Sequence, residues 1–292
     1  MNCYPCAAIR LVMYALLTLL LLPVQMVAVL LRLKLADDLP RFYHGLCLKI
    51  LNIEVRVSGV PMMDGPGIIV ANHASYLDVP VLGSLVRGSF IAKKEVASWP
   101  VYGFLAKLQR TTFIERRPVR SRTQNDELGR RLAAGHKLIM FPEGTSNDGN
   151  RVLPFKSTLF GVAERQMPDG SQVRLQPVSI AATGLDGAPM GRDLRAYYSW
   201  YGDMDLAPHL WQFLALGKVT VELIVHPPVT LAQAGSRKQL AQMCETMVAR
   251  GHQAALSGAN RATFVPLAHG GRRGDLIACA PLAVVSEDFR LF

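Results

Sequence analysis

Four apolar residues, Ile68-Ile69-Val70-Ala71, run straight into Asn72-His73-Ala74-Ser75-Tyr76-Leu77-Asp78. A short apolar run of this kind predicts a buried strand, and residues 77–85 beyond it read as a helix. The pattern recurs on both sides. Residues 90–92, 111–114 and 138–141 are further short apolar runs. Ile53, Val55 and Val57 alternate with Glu54 and Arg56, the period of a half-buried strand. Residues 173–180 and 219–225 are strand-like as well. Residues 39–51, with Pro40 in the first turn, read as a short amphipathic helix, and 101–108 and 123–134 are also helical. Residues 234–256 read as one long helix interrupted at Gly251. Strands alternating with helices predict an α/β core.

Composition narrows the class. Half of the 292 residues are hydrophobic, 18% are charged, and mean hydropathy is +0.20. That is enough apolar surface for a core of one large or two small domains, and it excludes a disordered chain. Lys plus Arg number 32 against 22 for Asp plus Glu, a net charge of +10. Residues 93–137 hold 11 basic and four acidic side chains. A chain both apolar and basic suits an anionic membrane surface better than DNA, although charge alone does not exclude nucleic acid. Five cysteines make no disulfide framework in a chain this long. Cys3-x-x-Cys6 lacks the second pair or the histidines of a zinc site, so reduced thiols in a cytosolic compartment are expected.

Residues 11–31 carry no charge and are bracketed by Arg10 and Arg32. As a helix they extend about 32 Å, close to the thickness of a bilayer's hydrocarbon. The run is too long for a signal-peptide core, and no A-x-A site follows. Pro23 and Gln25 interrupt it, so a kink or insertion into one leaflet is the alternative to a full span, and a buried core helix is a further one. Arg32, Lys34, Arg41 and Lys49 follow the run while only Arg10 precedes it, which predicts that the bulk of the chain is cytoplasmic. The expected organisation is an anchoring helix over 1–36, an α/β domain over 37–265 and a loose tail over 266–292, the last containing Gly270-Gly271-Arg272-Arg273-Gly274.

Several short elements carry chemistry. If Ser75 starts a helix, Asp78 lies in its first turn and reaches back to His73. It then accepts a hydrogen bond from one imidazole nitrogen and leaves the other to take a proton from a hydroxyl. Ser75-x-x-Asp78 equally matches a capping box, and the two roles are compatible. Leu138-Ile139-Met140-Phe141-Pro142-Glu143-Gly144-Thr145-Ser146 is a strand end delivering a carboxylate and a glycine. Such ends hold ligands in α/β folds, where Gly144 would allow close backbone approach; a plain turn with an exposed Glu is the alternative. Thr111-Thr112-Phe113-Ile114-Glu115-Arg116-Arg117 brings arginines to a strand end, suited to an acidic headgroup or simply to solvent. Pro177 inside an apolar strand marks an edge or an irregularity. Neither a G-x-S-x-G elbow nor H-E-x-x-H is present.

Taken in order, Asn72-His73-x4-Asp78, Phe113-Ile114-Glu115-Arg116, Phe141-Pro142-Glu143-Gly144-Thr145 and Pro177-Val178-Ser179-Ile180 resemble the glycerolipid acyltransferase family that includes bacterial lysophosphatidic acid acyltransferase. The resemblance implies a mixed sheet flanked by helices, behind a hydrophobic N-terminal membrane helix. It implies His73 as general base, Asp78 as its orienting partner, and Arg116, Glu143, Gly144 and Thr145 as groups that position the acceptor. It further implies no covalent acyl-enzyme, no metal and no resident cofactor, with the acyl thioester of acyl carrier protein or coenzyme A as co-substrate. The implied partners are acyl carrier protein, a lysolipid acceptor and the membrane, not nucleic acid. The implied location is a bacterial inner membrane, with the catalytic domain on the cytoplasmic side.

Two positions depart from the family pattern. Arg110 stands where the second block usually opens with Gly, and Ser146 stands where an Arg commonly follows Thr145. A charged hydrogen bond is worth about 1.5–3 kcal/mol, so losing that Arg disfavours a phosphate dianion unless Arg151 replaces it. Residues 141–157, together with Trp200-Tyr201-Gly202-Asp203-Met204 and Pro208-His209-Leu210-Trp211, look like one branch, the lyso-ornithine lipid O-acyltransferases. Those acylate the 3-hydroxyl of an N-(3-hydroxyacyl)-ornithine, whose zwitterionic head needs no such Arg; Asp148 or Asp203 is available to its ammonium. Lysophosphatidic acid or another lysophospholipid is the alternative acceptor, and a non-catalytic lipid-binding module is the remote alternative.

Overall fold

β2 (Gly67–Ala71) is buried at all five positions, because it has a parallel strand on each edge and helices over each face. Its neighbours are β5 (Lys137–Met140) and β6 (Leu175–Leu185). The computed structural model describes residues 3–115, 121–258 and 265–266. Outward from β5 come β3 (Ser89–Lys93) and then β4 (Thr112–Ile114), all parallel. Beyond β6 lie β8 (Val219–Val225), antiparallel to it, then β1 (Ile53–Gly59), parallel to β8, and β9 (Val265–Pro266). The short β7 (Ala188–Pro189) pairs with the end of β6. The strand order is β4-β3-β5-β2-β6-β8-β1-β9, and this mixed sheet is the one the resemblance implies.

The two-residue period of the strands splits the core in two. Ile69, Ala71, Ile139 and Val178 face α1 (Tyr4–Leu30), α2 (Leu35–Ile50), α3 (Asp78–Leu85) and α6 (Leu206–Ala215). Ile68, Val70, Leu138 and Met140 face α5 (Ser121–Ala133), the 3-10 turn Ser157–Glu164 and α8 (Arg237–Ser257). α4 (Tyr102–Leu108) runs between β3 and β4. The long C-terminal helix breaks earlier than the sequence suggests. α7 (Leu231–Ala234) stops at Gly235, φ +85°, and Ser236 caps α8. Gly251 does not interrupt α8. A Cβ there would lie 2.4 Å from Ser179 Oγ, so the glycine lets the helix close onto the sheet.

Two further expectations are corrected. Pro177 sits in a central strand, so of its two readings the edge fails and the irregularity holds. Its carbonyl accepts from His226 N–H at 3.0 Å just past the end of β8, so its missing N–H faces the point where the chain leaves the ladder. Cys3 and Cys6 form a disulfide instead of staying reduced; three residues apart at the start of α1, their Cα atoms are 5.2 Å apart, within bridging range. Cys47 and Cys244 are free and buried.

α1 lies along the domain over most of its length. Cys3 N–H donates to Ala215 O at 2.9 Å, and Arg10 Nη1 donates to Leu214 O and Leu216 O at 2.8 and 2.7 Å. Thr18 Oγ1 is 2.9 Å from Tyr43 Oη. Gln25, the polar residue in the apolar run, is buried and donates to Ala36 O and Leu108 O. The helix continues through Pro23, and its outer face leaves Leu16, Leu19 and Leu20 exposed.

Candidate active site

β2 ends at Ala71, in the centre of the sheet, and the chain leaves it through Asn72 and His73. Ligand sites form at such carboxyl ends. Asn72 fixes the exit: its side chain is buried, donates to Ile180 O at 2.9 Å and accepts from Ile180 N–H at 2.8 Å, tying the loop to β6. The turn after His73 brings Asp78, the first residue of α3, back beneath it. His73 Nδ1 lies 2.9 Å from Asp78 Oδ2. Asp78 is 0% exposed and His73 is 22% exposed, so the pair has a buried end and an open end.

Both oxygens of Asp78 are engaged. Oδ2 also accepts from Ala74 N–H at 2.8 Å and Ser75 N–H at 2.9 Å. Oδ1 accepts from the Tyr198 hydroxyl at 2.8 Å. Oδ2, accepting at 2.9 Å, selects the tautomer of the His73 ring that carries its hydrogen on Nδ1. Nε2 then carries the lone pair on the open side. Burial, then the Asp78 charge, push the Tyr198 phenol well above its ordinary range, which keeps it a donor. Only half of the capping box forms: Ser75 Oγ accepts from Leu77 N–H instead of closing on Asp78.

The strand end of β5 supplies the other wall. Phe141 stacks on the His73 ring, centroids 4.1 Å apart at 18°, and Phe90 stacks behind Phe141 at 6.2 Å. An aromatic face favours a ring that gains positive charge. Glu143 is buried. Its Oε1 accepts from His73 N–H at 2.9 Å, and its Oε2 accepts from Asn147 Nδ2 at 2.7 Å and Leu153 N–H at 3.1 Å. It therefore clamps the His73 loop to the loop that follows β5. Burial pushes its carboxyl up to about 8 against those three donors. Gly144 has φ +69° in the turn, and its N–H donates to Phe141 O at 3.1 Å. Thr145 is exposed, with its hydroxyl 3.4 Å from Ser146 O.

His73, Asp78 and Glu143 are thus brought together; Gly144 adjoins them in the turn after β5, and Thr145 faces outward. Arg116 lies outside the described residues. Arg110, at the position where a Gly is usual, keeps the left-handed backbone, φ +57°, while its guanidinium pairs with Asp37 at 2.7 Å. Tyr198 went unread in the sequence, because nothing local marks a tyrosine 120 residues from its carboxylate partner. The nearest signal was Trp200, whose backbone N–H donates to Ala74 O at 2.9 Å and holds that segment over the site.

The acyltransferase family profile matches residues 51–181, which span both sides of this site. The chain is 42% identical over 223 residues to a lyso-ornithine lipid O-acyltransferase of Brucella abortus, covering 75% of this chain and 84% of that one. It is 39% identical over 229 residues to the enzyme of that name from Rhizobium meliloti, covering 77% and 78%. In fold it is similar to the crystal structure of the 1-acyl-sn-glycerophosphate (LPA) acyltransferase of Thermotoga maritima, with a TM-score of 0.52 and 24% identity over 84% of this chain and 96% of that one. A histidine–carboxylate pair at the end of a central strand, inside a matched profile and with relatives this similar over most of their length, places the chain in the acyltransferase family.

Proposed function

We propose that this enzyme transfers an acyl group from the thioester of acyl carrier protein or coenzyme A to the hydroxyl of lyso-ornithine lipid. The observation that carries the chemistry is the 2.9 Å contact between His73 Nδ1 and an Asp78 held at both oxygens, which leaves Nε2 as the acceptor on the open face. Nε2 takes the proton of the lipid hydroxyl as its oxygen attacks the thioester carbonyl. The C–S bond breaks, the ester forms, and the departing sulfur takes the proton back from Nε2. Asp78 stabilises the imidazolium between those steps, and Phe141 offers it an aromatic face. Glu143 is a positioning residue, since both of its oxygens are spent holding loops.

The acceptor rests on the two relatives and on Ser146, which stands where the family commonly carries a phosphate-binding Arg. Membrane association rests on the exposed leucine face of α1. Because the opposite face is tied to the domain from Cys3 to Gln25, the helix fits one leaflet, lying in the interface instead of crossing it. The test is acyl transfer by purified full-length protein in detergent, offered lyso-ornithine lipid or lysophosphatidic acid. Faster turnover of lyso-ornithine lipid is expected; equal or faster turnover of lysophosphatidic acid overturns the acceptor assignment.

A further inference from the structure

Beside the His73 loop is a cleft of about 460 Å³ lined by Asp148, Asn150, Arg151, Arg192 and Arg195. It gathers three guanidinium groups around one carboxylate. Like charges held this close repel, so the arrangement suits an incoming anion. The cleft is also built. Arg195 Nη1 donates to Asn150 Oδ1, and Arg195 Nη2 donates to Met190 O at 3.3 Å. Asn150 in turn donates from its backbone N–H and from Nδ2 to the two oxygens of Asp148, each at 3.1 Å. Arg195 Nε is buried with no partner among the described residues.

Its position relative to the chemistry follows from Gly149. A Cβ on Gly149 would lie 2.6 Å from Ser199 Oγ, 3.7 Å from Ala74 Cβ and 3.9 Å from Arg195 Cβ. The loop carrying Asp148 is therefore wedged between the residue that follows His73 and the segment that carries Arg195. Asp203, the other carboxylate considered from sequence, is exposed in the turn before α6 and does not line the cleft.

We propose that this cleft binds the zwitterionic amino-acid head of the acceptor, its arginines taking the α-carboxylate and Asp148 taking the side-chain ammonium. The inference rests on lyso-ornithine lipid being the acceptor. A purely cationic cleft would receive a phosphate dianion equally well. Asp148 is what distinguishes the two heads, because a carboxylate repels the dianion and pairs with the ammonium. In N-(3-hydroxyacyl)-ornithine the carboxylate lies six bonds from the reacting oxygen, a reach of about two residues of extended chain, or 7 Å. A cleft one loop away from His73 suits that reach.

Two variants and two acceptor analogues test it, all in full-length protein. Asp148→Asn keeps the oxygen that accepts from Asn150 N–H, and Arg192 is exposed, so Arg192→Gln leaves the core intact. Each is expected to raise KM for lyso-ornithine lipid by roughly tenfold, the value of one charged hydrogen bond, with kcat within about twofold. With an N-(3-hydroxyacyl)-norvaline acceptor, which lacks the ammonium, Asp148→Asn should no longer raise KM. With an N-(3-hydroxyacyl)-putrescine acceptor, which lacks the carboxylate, Arg192→Gln should no longer raise KM. Unchanged KM in both variants, with a wild type that turns over lyso-ornithine lipid, overturns the cleft alone. A wild type that acylates only lysophosphatidic acid overturns the acceptor assignment and the cleft with it.

Discussion

His73 and Asp78 act as one unit, and the residues around them explain why. The carboxylate is held by two backbone amides and a phenol, so it cannot turn away from the imidazole. Asp78→Asn puts an amide where the acceptor was and mis-sets the imidazole tautomer. The turnover number should fall by about 10²–10⁴-fold, with the fold retained by circular dichroism. Tyr198→Phe removes one donor to a buried charge, and kcat should fall by roughly tenfold while KM for the lipid stays put. A loss in KM instead would make Tyr198 part of the acceptor surface. The His73–Asp78 contact was legible in the sequence because five residues across a strand-to-helix turn are local. The Tyr198 contact was not, because only the tertiary fold brings its segment across Ala74.

At the scale of elements, most of the pattern was legible and the exceptions have physical causes. Strands β2, β3 and β5 are short, and their unbroken apolar runs report burial directly; β8 is buried throughout although Thr220 and Glu222 interrupt its run. α6 was read only as a family-like block, since its ten residues mix Pro208, His209 and Trp211 with leucines and its buried face is narrow. Gly251 looked like a break because local propensity disfavours glycine in helices, but close approach of α8 to Ser179 outweighs that preference. α1 was legible as an apolar helix, but its docking was not, because that depends on the distant partners of Arg10, Thr18 and Gln25. Its outer face carries a prediction. Leu16, Leu19 and Leu20 are 61%, 65% and 71% exposed. Replacing all three by Gln removes at least ~1.5 kcal/mol of burial each, so binding to anionic vesicles should drop by roughly a hundredfold or more. The melting temperature in detergent should be nearly unchanged. Unaltered vesicle binding would remove α1 from the membrane contact.

The whole molecule carries an acid limb in its stability. Burial pulls His44, His226 and His252 down to about 4, from an ordinary value of 6.5. Between those two values the unfolded chain binds protons that the folded one refuses, so their contribution is full above pH 6.5 and is lost as pH falls toward 4. Denaturant midpoints measured from pH 7 to pH 4 should fall steadily; a flat profile contradicts the buried neutral state of these three rings. The central claim is tested most directly by the initial rate of labelled acyl transfer to lyso-ornithine lipid by His73→Ala, measured beside the wild type in the same detergent. The general-base role predicts a loss of about 10²–10⁴-fold with an unchanged melting temperature, and a rate within tenfold of the wild type would contradict it.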